Sequence, residues 1–253
     1  MASNDLVQSV IRGLDILEII ARADDGATLQ GIAQALQVAP PTAHNIARTL
    51  VARGYLEKSS RPTRYRLGNA IFALVRLQEQ RQFLQQAGGV VQLLAREMAG
   101  ATVTLVEARG CELQVLLRAS PELPGLLQRP DHRTMDAYLS AHGLVFQAFW
   151  TESERTLCRR RYPFDEFGAH AWRSLAQLDE TVAEVRRRGY ASPPSKTGDI
   201  FRVVAPIFTA AHTLIASLGM SLPSAKLSPD DRERIIDKVT TAARQLAPSS
   251  EEI

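Results

Sequence analysis

The sequence predicts an α+β chain: a small helical N-terminal part, one connecting helix, and a larger part in which helices flank an antiparallel sheet. Three observations carry this. Apolar residues recur at helical spacing three times before residue 52, a basic stretch with strand-like alternation follows, and beyond Gly88 β-rich runs alternate with amphipathic helices. With 253 residues the chain is long enough for one large domain or two modest ones. Hydrophobic residues at 45% and charged residues at 23% exclude a disordered or fibrous chain. No run reaches the roughly 20 apolar residues that cross a bilayer, so no membrane partner is expected. The opening MASNDLVQSV has no basic segment followed by an apolar one, so nothing marks it for secretion and the cytoplasm is the expected compartment. Cys111 and Cys158 cannot make a disulfide framework, and no spacing of Cys or His suits a metal; neither metal nor cofactor is expected.

The first helix is read from Val7, Val10, Ile11, Leu14, Leu17 and Ile20 or Ala21, whose helical spacing predicts an amphipathic helix. It stops in the turn Asp24-Asp25-Gly26. Thr28 is placed as the N-cap of a second helix carrying Leu29, Ile32, Ala33 and Leu36. Pro40 and Pro41 then open a third helix, because a missing N–H costs nothing in the first turn. Its inner face is Ala43, Ile46, Ala47, Leu50 and Val51; at 100° per residue Pro41, Thr42, Asn45, Arg48 and Thr49 fall opposite, with His44 at the flank.

That outer face is either a solvated surface or a reading head. Asparagine matches adenine, arginine matches guanine, and threonine suits a phosphate or a thymine methyl. After Gly54, Tyr55-Leu56-Glu57 and Arg64-Tyr65-Arg66-Leu67 read as two strands around Lys58-Ser59-Ser60-Arg61-Pro62-Thr63. From Arg53 to Arg66 five cations face a single acid, Glu57. The whole chain carries only +3, with a pI near 9.1, so the concentration here matters more than the total. Two helices joined by a short turn, a preceding helix and a basic hairpin form a winged helix-turn-helix. Its expected contacts with double-stranded DNA are Arg48 and Asn45 on bases, Thr42 and His44 on backbone or both, Pro41 and Thr49 on the same face, and Lys58, Arg61 and Arg64 on phosphates.

The run from Val7-Gln8-Ser9-Val10 through Leu14-Asp15-Ile16-Leu17, Ile32-Ala33, Thr42, His44, Ala52-Arg53-Gly54-Tyr55-Leu56 and Tyr65-Arg66-Leu67-Gly68 resembles the IclR family of bacterial transcription regulators. The likeness extends to Arg187-Arg188-Gly189-Tyr190, Ala205-Pro206-Ile207 and Leu227-Ser228-Pro229. It implies a DNA-binding domain over residues 1–68, a linker helix over 69–87 and a GAF-like effector-binding domain over 88–253. It also implies a homodimer or dimer of dimers on a palindromic operator.

Within the third part, Val90–Met98 reads as a helix after a stop at Gly88-Gly89, and Ala101–Ala108 and Glu112–Leu117 as a hairpin. Ala141–Phe149 reads as a buried helix, followed by a helix closed by Gly189. Val203–Phe208 and Leu214–Leu222 read as strands, and Ser228-Pro229-Asp230-Asp231 as a capped helix start. No GxSxG, P-loop or GxGxxG is present, and the histidines form no triad, so an enzyme is not expected; His142 and the others read as surface or hydrogen-bonded structural residues.

The resemblance implies a pocket for a small organic or aromatic acid. Carried over by the Ala205-Pro206-Ile207 landmark, pocket positions fall on Tyr138, Ser140, Asp199, Arg202, Gly219 and Ser221. Arg202 departs from the small residue of the family. It clamps a carboxylate, pairs with Asp199, or fills the cavity and makes a constitutive regulator. A further alternative is a ligand-binding or enzymatic C-terminal domain whose N-terminal part serves only to dimerise.

Overall fold

A computed structural model describes residues 6–60, 62–195, 198–225 and 227–247, and divides the chain into two compact units, residues 1–81 and 82–253. In the first unit, helices α1 (Gln8–Ala21), α2 (Leu29–Ala35) and α3 (Pro40–Ala52) precede a two-stranded antiparallel hairpin, β1 (Leu56–Ser60) and β2 (Thr63–Leu67). Thr28 caps α2 by accepting the Gly31 N–H at 3.1 Å. Prolines occupy the first turn of α3. The hairpin is tied to the helices by Tyr65 and Ala27, which exchange backbone hydrogen bonds at 2.8 and 3.0 Å.

The core of this unit gathers Ile16, Ile20, Ile32, Ala33, Ala43, Ala47, Leu56 and Tyr65. Here α1 differs from the sequence reading. Gly13, Ile16 and Ile20 form its buried side, while Val7, Val10 and Leu14 are exposed by more than half. The helix is apolar on two adjacent stripes, and packing on α3 selects the one where Gly13 admits Ile46, whose Cγ2 lies 3.8 Å from where a Cβ would stand.

Helix α4 (Asn69–Glu97) begins in the first unit and ends in the second. The expected stop at Gly88-Gly89 does not occur. Ala87, Gly88, Val91 and Leu94 are buried, and that burial outweighs the roughly 1 kcal/mol by which each glycine disfavours a helix.

The second unit holds a five-stranded antiparallel sheet. Its strands are β3 (Thr102–Arg109), β4 (Glu112–Ala119), β5 (Thr134–Met135), β6 (Ile200–Phe208) and β7 (Leu214–Pro223), in spatial order β5-β4-β3-β7-β6. Helices α5 (Ala141–Phe149), α6 (Glu152–Arg161), α7 (Phe164–Phe167) and α8 (Leu175–Arg188) lie between β5 and β6 in sequence, and α9 (Pro229–Gln245) closes the chain. Period-two alternation sorts the side chains. Val103, Leu105, Val203, Ala205, Ile207, Leu218 and Met220 pack with α4 and α9, and Val204 faces Ala141, Leu144, Val145 and α8 on the other side. Gly189 ends α8 at φ 78°, and Ser228 with Asp231 forms a capping box on α9. Among the described residues no helix is long and apolar enough to cross a membrane.

The two glycines inside α4 separate. Gly89 is exposed with nothing within 4 Å of a built Cβ, whereas one at Gly88 meets Leu127 Cδ2 at 3.0 Å. Gly89→Ala is expected to raise unfolding free energy by about 0.5–1 kcal/mol in denaturant titrations, and Gly88→Ala to give none of that gain. Equal stabilisation by both would contradict the continuous, packed α4.

Candidate functional site

Ala43 and Ala47 are fully buried, with Ile46, Leu50 and Val51 packed around them, so the rotation of α3 is fixed by its smallest residues. Pro41, His44, Asn45, Arg48 and Thr49 are exposed on the other side, and Thr42 is half-buried. The polar face expected from periodicity is therefore the free face. Thr49 is less available than its position suggests, since its hydroxyl donates to the Asn45 carbonyl at 2.9 Å. Pro40 and Pro41 carry no N–H, and those of Thr42 and Ala43 both go to the Ala39 carbonyl. The start of α3 thus offers no spare amide to a phosphate, and contacts there must come from side chains.

The hairpin tip is held by Ser59, whose hydroxyl donates to the Pro62 carbonyl at 2.9 Å and accepts the Arg64 N–H at 3.2 Å. Lys58 is exposed, its Nζ 5.9 Å from the Tyr65 ring centre. Arg61 lies outside the described residues. Arg64, expected on a phosphate, is turned inward: it donates to the Gly26 carbonyl at 3.1 Å, and its Nε lies 3.6 Å from Asp25. Arg66 pairs with the same carboxylate, and its hydrogen bond, with the charge of both arginines, holds Asp25 below the usual range. Arg64 anchors the hairpin to the α1–α2 turn.

In the second unit a cavity of about 400 Å³ lies between the sheet and the start of α5. Of the residues carried over by resemblance, Ser140, Arg202, Gly219 and Ser221 line it together. Tyr138 and Asp199 do not. Tyr138 is 3% exposed, packed edge-on to Phe164, and its hydroxyl donates to the Tyr162 carbonyl at 2.7 Å. Asp199 is exposed, and its carbonyl accepts the Ser224 N–H. Ser140 spends its hydroxyl as the cap of α5, accepting from Gly143 at 2.9 Å and donating to the Asp136 carbonyl. Arg202 is half-buried and makes no ion pair among the described residues, so the expected alternative of a pair with Asp199 is not realised.

Sequence reasoning did not assign Thr104, Arg118 or His142 to this cavity. His142 is buried between Thr104, 2.9 Å from its Nε2, and Ser217, 2.8 Å from its Nδ1. Burial pulls its pKa down to about 3, so the ring is neutral. A Cβ at position 219 would lie 2.6 Å from His142 Nε2, so Gly219 is where the imidazole sits. The ring occupies the volume that a side chain would take and presents polar nitrogens in its place. Arg118, 8% exposed, donates to Ser120, Gln128 and Glu122 at 3.0, 3.2 and 2.9 Å, while its Nε, also buried, has no partner. The signal was present in part: an arginine within the apolar LLRAS run and a threonine within VTLV break their strands' patterns.

Burial also pushes the Cys158 thiol up to about 12, leaving no thiolate to act as a nucleophile. Among the described residues no cluster of His, Cys, Asp or Glu could hold a metal.

Comparison with known proteins matches the N-terminal and C-terminal parts of the chain separately. Residues 9–60 match the IclR helix-turn-helix domain, and residues 77–248 match the domain described as bacterial transcriptional regulator IclR C-terminal. The chain is 28% identical to the HTH-type transcriptional regulator BhcR of Paracoccus denitrificans, over 95% of this chain and 86% of that protein. It is 23% identical to the transcriptional repressor IclR of Escherichia coli, over 95% and 89%. Among solved structures it is similar to the Thermotoga maritima IclR, with a TM-score of 0.56 at 18% identity, covering 94% of this chain and 96% of that one. The likeness to Pseudomonas aeruginosa HmgR has a TM-score of 0.53 at 20% identity, covering 95% and 97%. These last two show the fold.

Two outcomes follow from the imidazole. Gly219→Ser is expected to destabilise the chain by about 1–3 kcal/mol through overpacking, and His142→Ala in the same chain to restore most of that loss; additive losses would contradict the shared volume. The imidazole titrates near 6.5 when unfolded and about 3 when folded, so its stabilisation is full above about pH 6.5 and is lost as pH falls toward 3. Below pH 6 the wild type should lose about 1.4 kcal/mol per pH unit more than His142→Gln in urea titrations. Parallel pH profiles would contradict a buried neutral ring.

Proposed function

The chain belongs to the IclR family of bacterial transcriptional regulators, and from that premise we propose that α3 reads DNA bases while the cavity beneath α5 binds a small organic acid that modulates DNA binding. It is a DNA-binding regulator and not an enzyme. The observation that carries the reading is the exposed Asn45 and Arg48 on a helix whose opposite side is sealed by Ala43 and Ala47. Arg48 and Asn45 take base edges, Thr42 and His44 take backbone or both, and Pro41 and Thr49 shape the contact face. Lys58 and Arg61 take phosphates, and Arg64 holds the hairpin that carries them.

The protein acts as a homodimer or dimer of dimers on a palindromic operator in the cytoplasm. Two exposed apolar stretches support self-association: Val7 with Val10 and Leu14 at the start of α1, and Phe72, Leu74, Val75 and Leu77 on α4. A two-fold protein doubles its phosphate contacts on a two-fold site. The effector is a small carboxylic or aromatic acid, held by Arg202 with Ser221 beside it. The open cavity favours this over a constitutive regulator with a filled pocket. The exposed polar side of α3 favours DNA contact over an N-terminal part used only to dimerise.

Duplex titrations at several salt concentrations separate the two kinds of contact. Arg48→Ala is expected to cost roughly 1–3 kcal/mol on the preferred operator and to relax sequence preference. Lys58→Ala should weaken all duplexes alike and lower the salt slope by about one. Indistinguishable behaviour of the two variants would overturn the division of roles.

A further inference from the structure

In an antiparallel sheet, paired residues and their second neighbours share one face. Arg118 pairs with Thr104, Thr104 with Gly219, and Gly219 with Val204. Two residues along, Thr102 pairs with Ser221 and Ser221 with Arg202. Arg118 and Arg202 therefore rise from the same face, three strand spacings apart and two residues out of line, which is roughly 16 Å between their Cα atoms at ideal spacing. Between them the sheet carries only short side chains, Thr102, Thr104 and Ser221, with Gly219. The His142 ring fills the space over Gly219 beside Thr104, so the floor between the two arginines carries polar groups without charge.

The charges point the same way. Three arginines, Arg118, Arg133 and Arg202, line the cavity against one carboxylate, Asp136. Asp136 is itself occupied, accepting the N–H groups of Tyr138 and Leu139 at 2.6 and 2.9 Å. Glu122 takes one amino group of Arg118 from the outside, where it is 71% exposed, and leaves the buried Nε–H without a partner. Arg202 makes no ion pair among the described residues. No Phe, Tyr or Trp is among the described lining residues, so an aromatic ring would find no ring to stack on.

We infer that the cavity takes an effector with two anionic ends, a short aliphatic dicarboxylate, with one carboxylate on Arg202 and the other on Arg118 and Arg133. This rests on the cavity being the effector site. A guanidinium binds a carboxylate through paired charge-assisted hydrogen bonds, and a monoacid would engage one end only, leaving either Arg202, which has no ion pair among the described residues, or Arg118, paired only from outside with the exposed Glu122, without a ligand carboxylate. Thr104, Ser221 and the neutral His142 lie between the ends and suit a polar or bare methylene chain.

The test uses the full chain in calorimetric and thermal-shift titrations with butyrate, pentanoate and hexanoate as monoacids and succinate, glutarate and adipate as diacids, with benzoate alongside. At least one diacid is expected to bind ten- to a hundredfold more tightly than the monoacid of equal length, a difference typical of one charged hydrogen-bonding partner. Arg202→Gln should bring that diacid down to monoacid affinity, and so should Arg133→Gln, an exposed site at which folding is not at risk. Arg118→Lys should do the same where it folds. Monoacids that bind as tightly as diacids, or a diacid indifferent to Arg202→Gln, would overturn the two-ended clamp while leaving a small-acid effector in place. Binding of benzoate but of no acid from either set would overturn the two-ended clamp and leave a small-acid effector in place, and binding of none of these acids, benzoate included, would overturn both readings.

Discussion

The close approach of α3 to its neighbours across Ala43 and Ala47 is the constraint on which the N-terminal unit depends. Neither residue has any surface left, and both sit in one cluster with Ile16 and Ile32. A larger side chain at either position would have to lift or turn the helix, and a turn of one residue moves every outward group by 100°. Asn45 and Arg48 point outward because two alanines point inward. The hairpin is subject to a similar restraint, since the Tyr65–Ala27 pairing and the Arg64 and Arg66 contacts with the α1–α2 turn fix where Lys58 stands.

The C-terminal unit uses the other periodicity. Odd-numbered residues of β6 enter the core with α4 and α9, and even-numbered residues face α5, so a single strand supplies both Ile207 to the core and Arg202 to the cavity. Sheet pairing then sets the distance between groups that are far apart in sequence. His142 and Gly219 show how finely this face is filled: the absence of one side chain admits another, and a neutral imidazole stands where a side chain at position 219 would otherwise be.

Local signals were legible because their causes are local. Thr28 as a cap, the prolines opening α3, the αL glycine closing α8 and the capping box of α9 each depend on residues within four positions of one another. The antiparallel hairpins could also be read, as could the exposed face of α3. Other features depend on partners that sequence spacing cannot supply. Helix α1 carries two apolar stripes, and only packing on α3 decides which is inner. Gly88 and Gly89 resemble a stop until the neighbouring Ala87, Val91 and Leu94 find a sheet to bury against. Arg64 resembles any wing cation until Asp25 and Gly26 claim it. Arg118 and His142 join the cavity through β3 and β7, far away in sequence, and an isolated arginine or histidine in an apolar run does not say what it faces.

The central claim is that the outward side of α3 chooses bases. The direct measurement is selection of bound fragments from a random duplex pool by the wild type and by Asn45→Ala, followed by sequencing. The account predicts an enriched motif with two-fold symmetry for the wild type, and for the variant the same half-site spacing with preference lost at one or two base pairs in each half. A pool that shows no enrichment, or a variant with an unchanged motif, would contradict it.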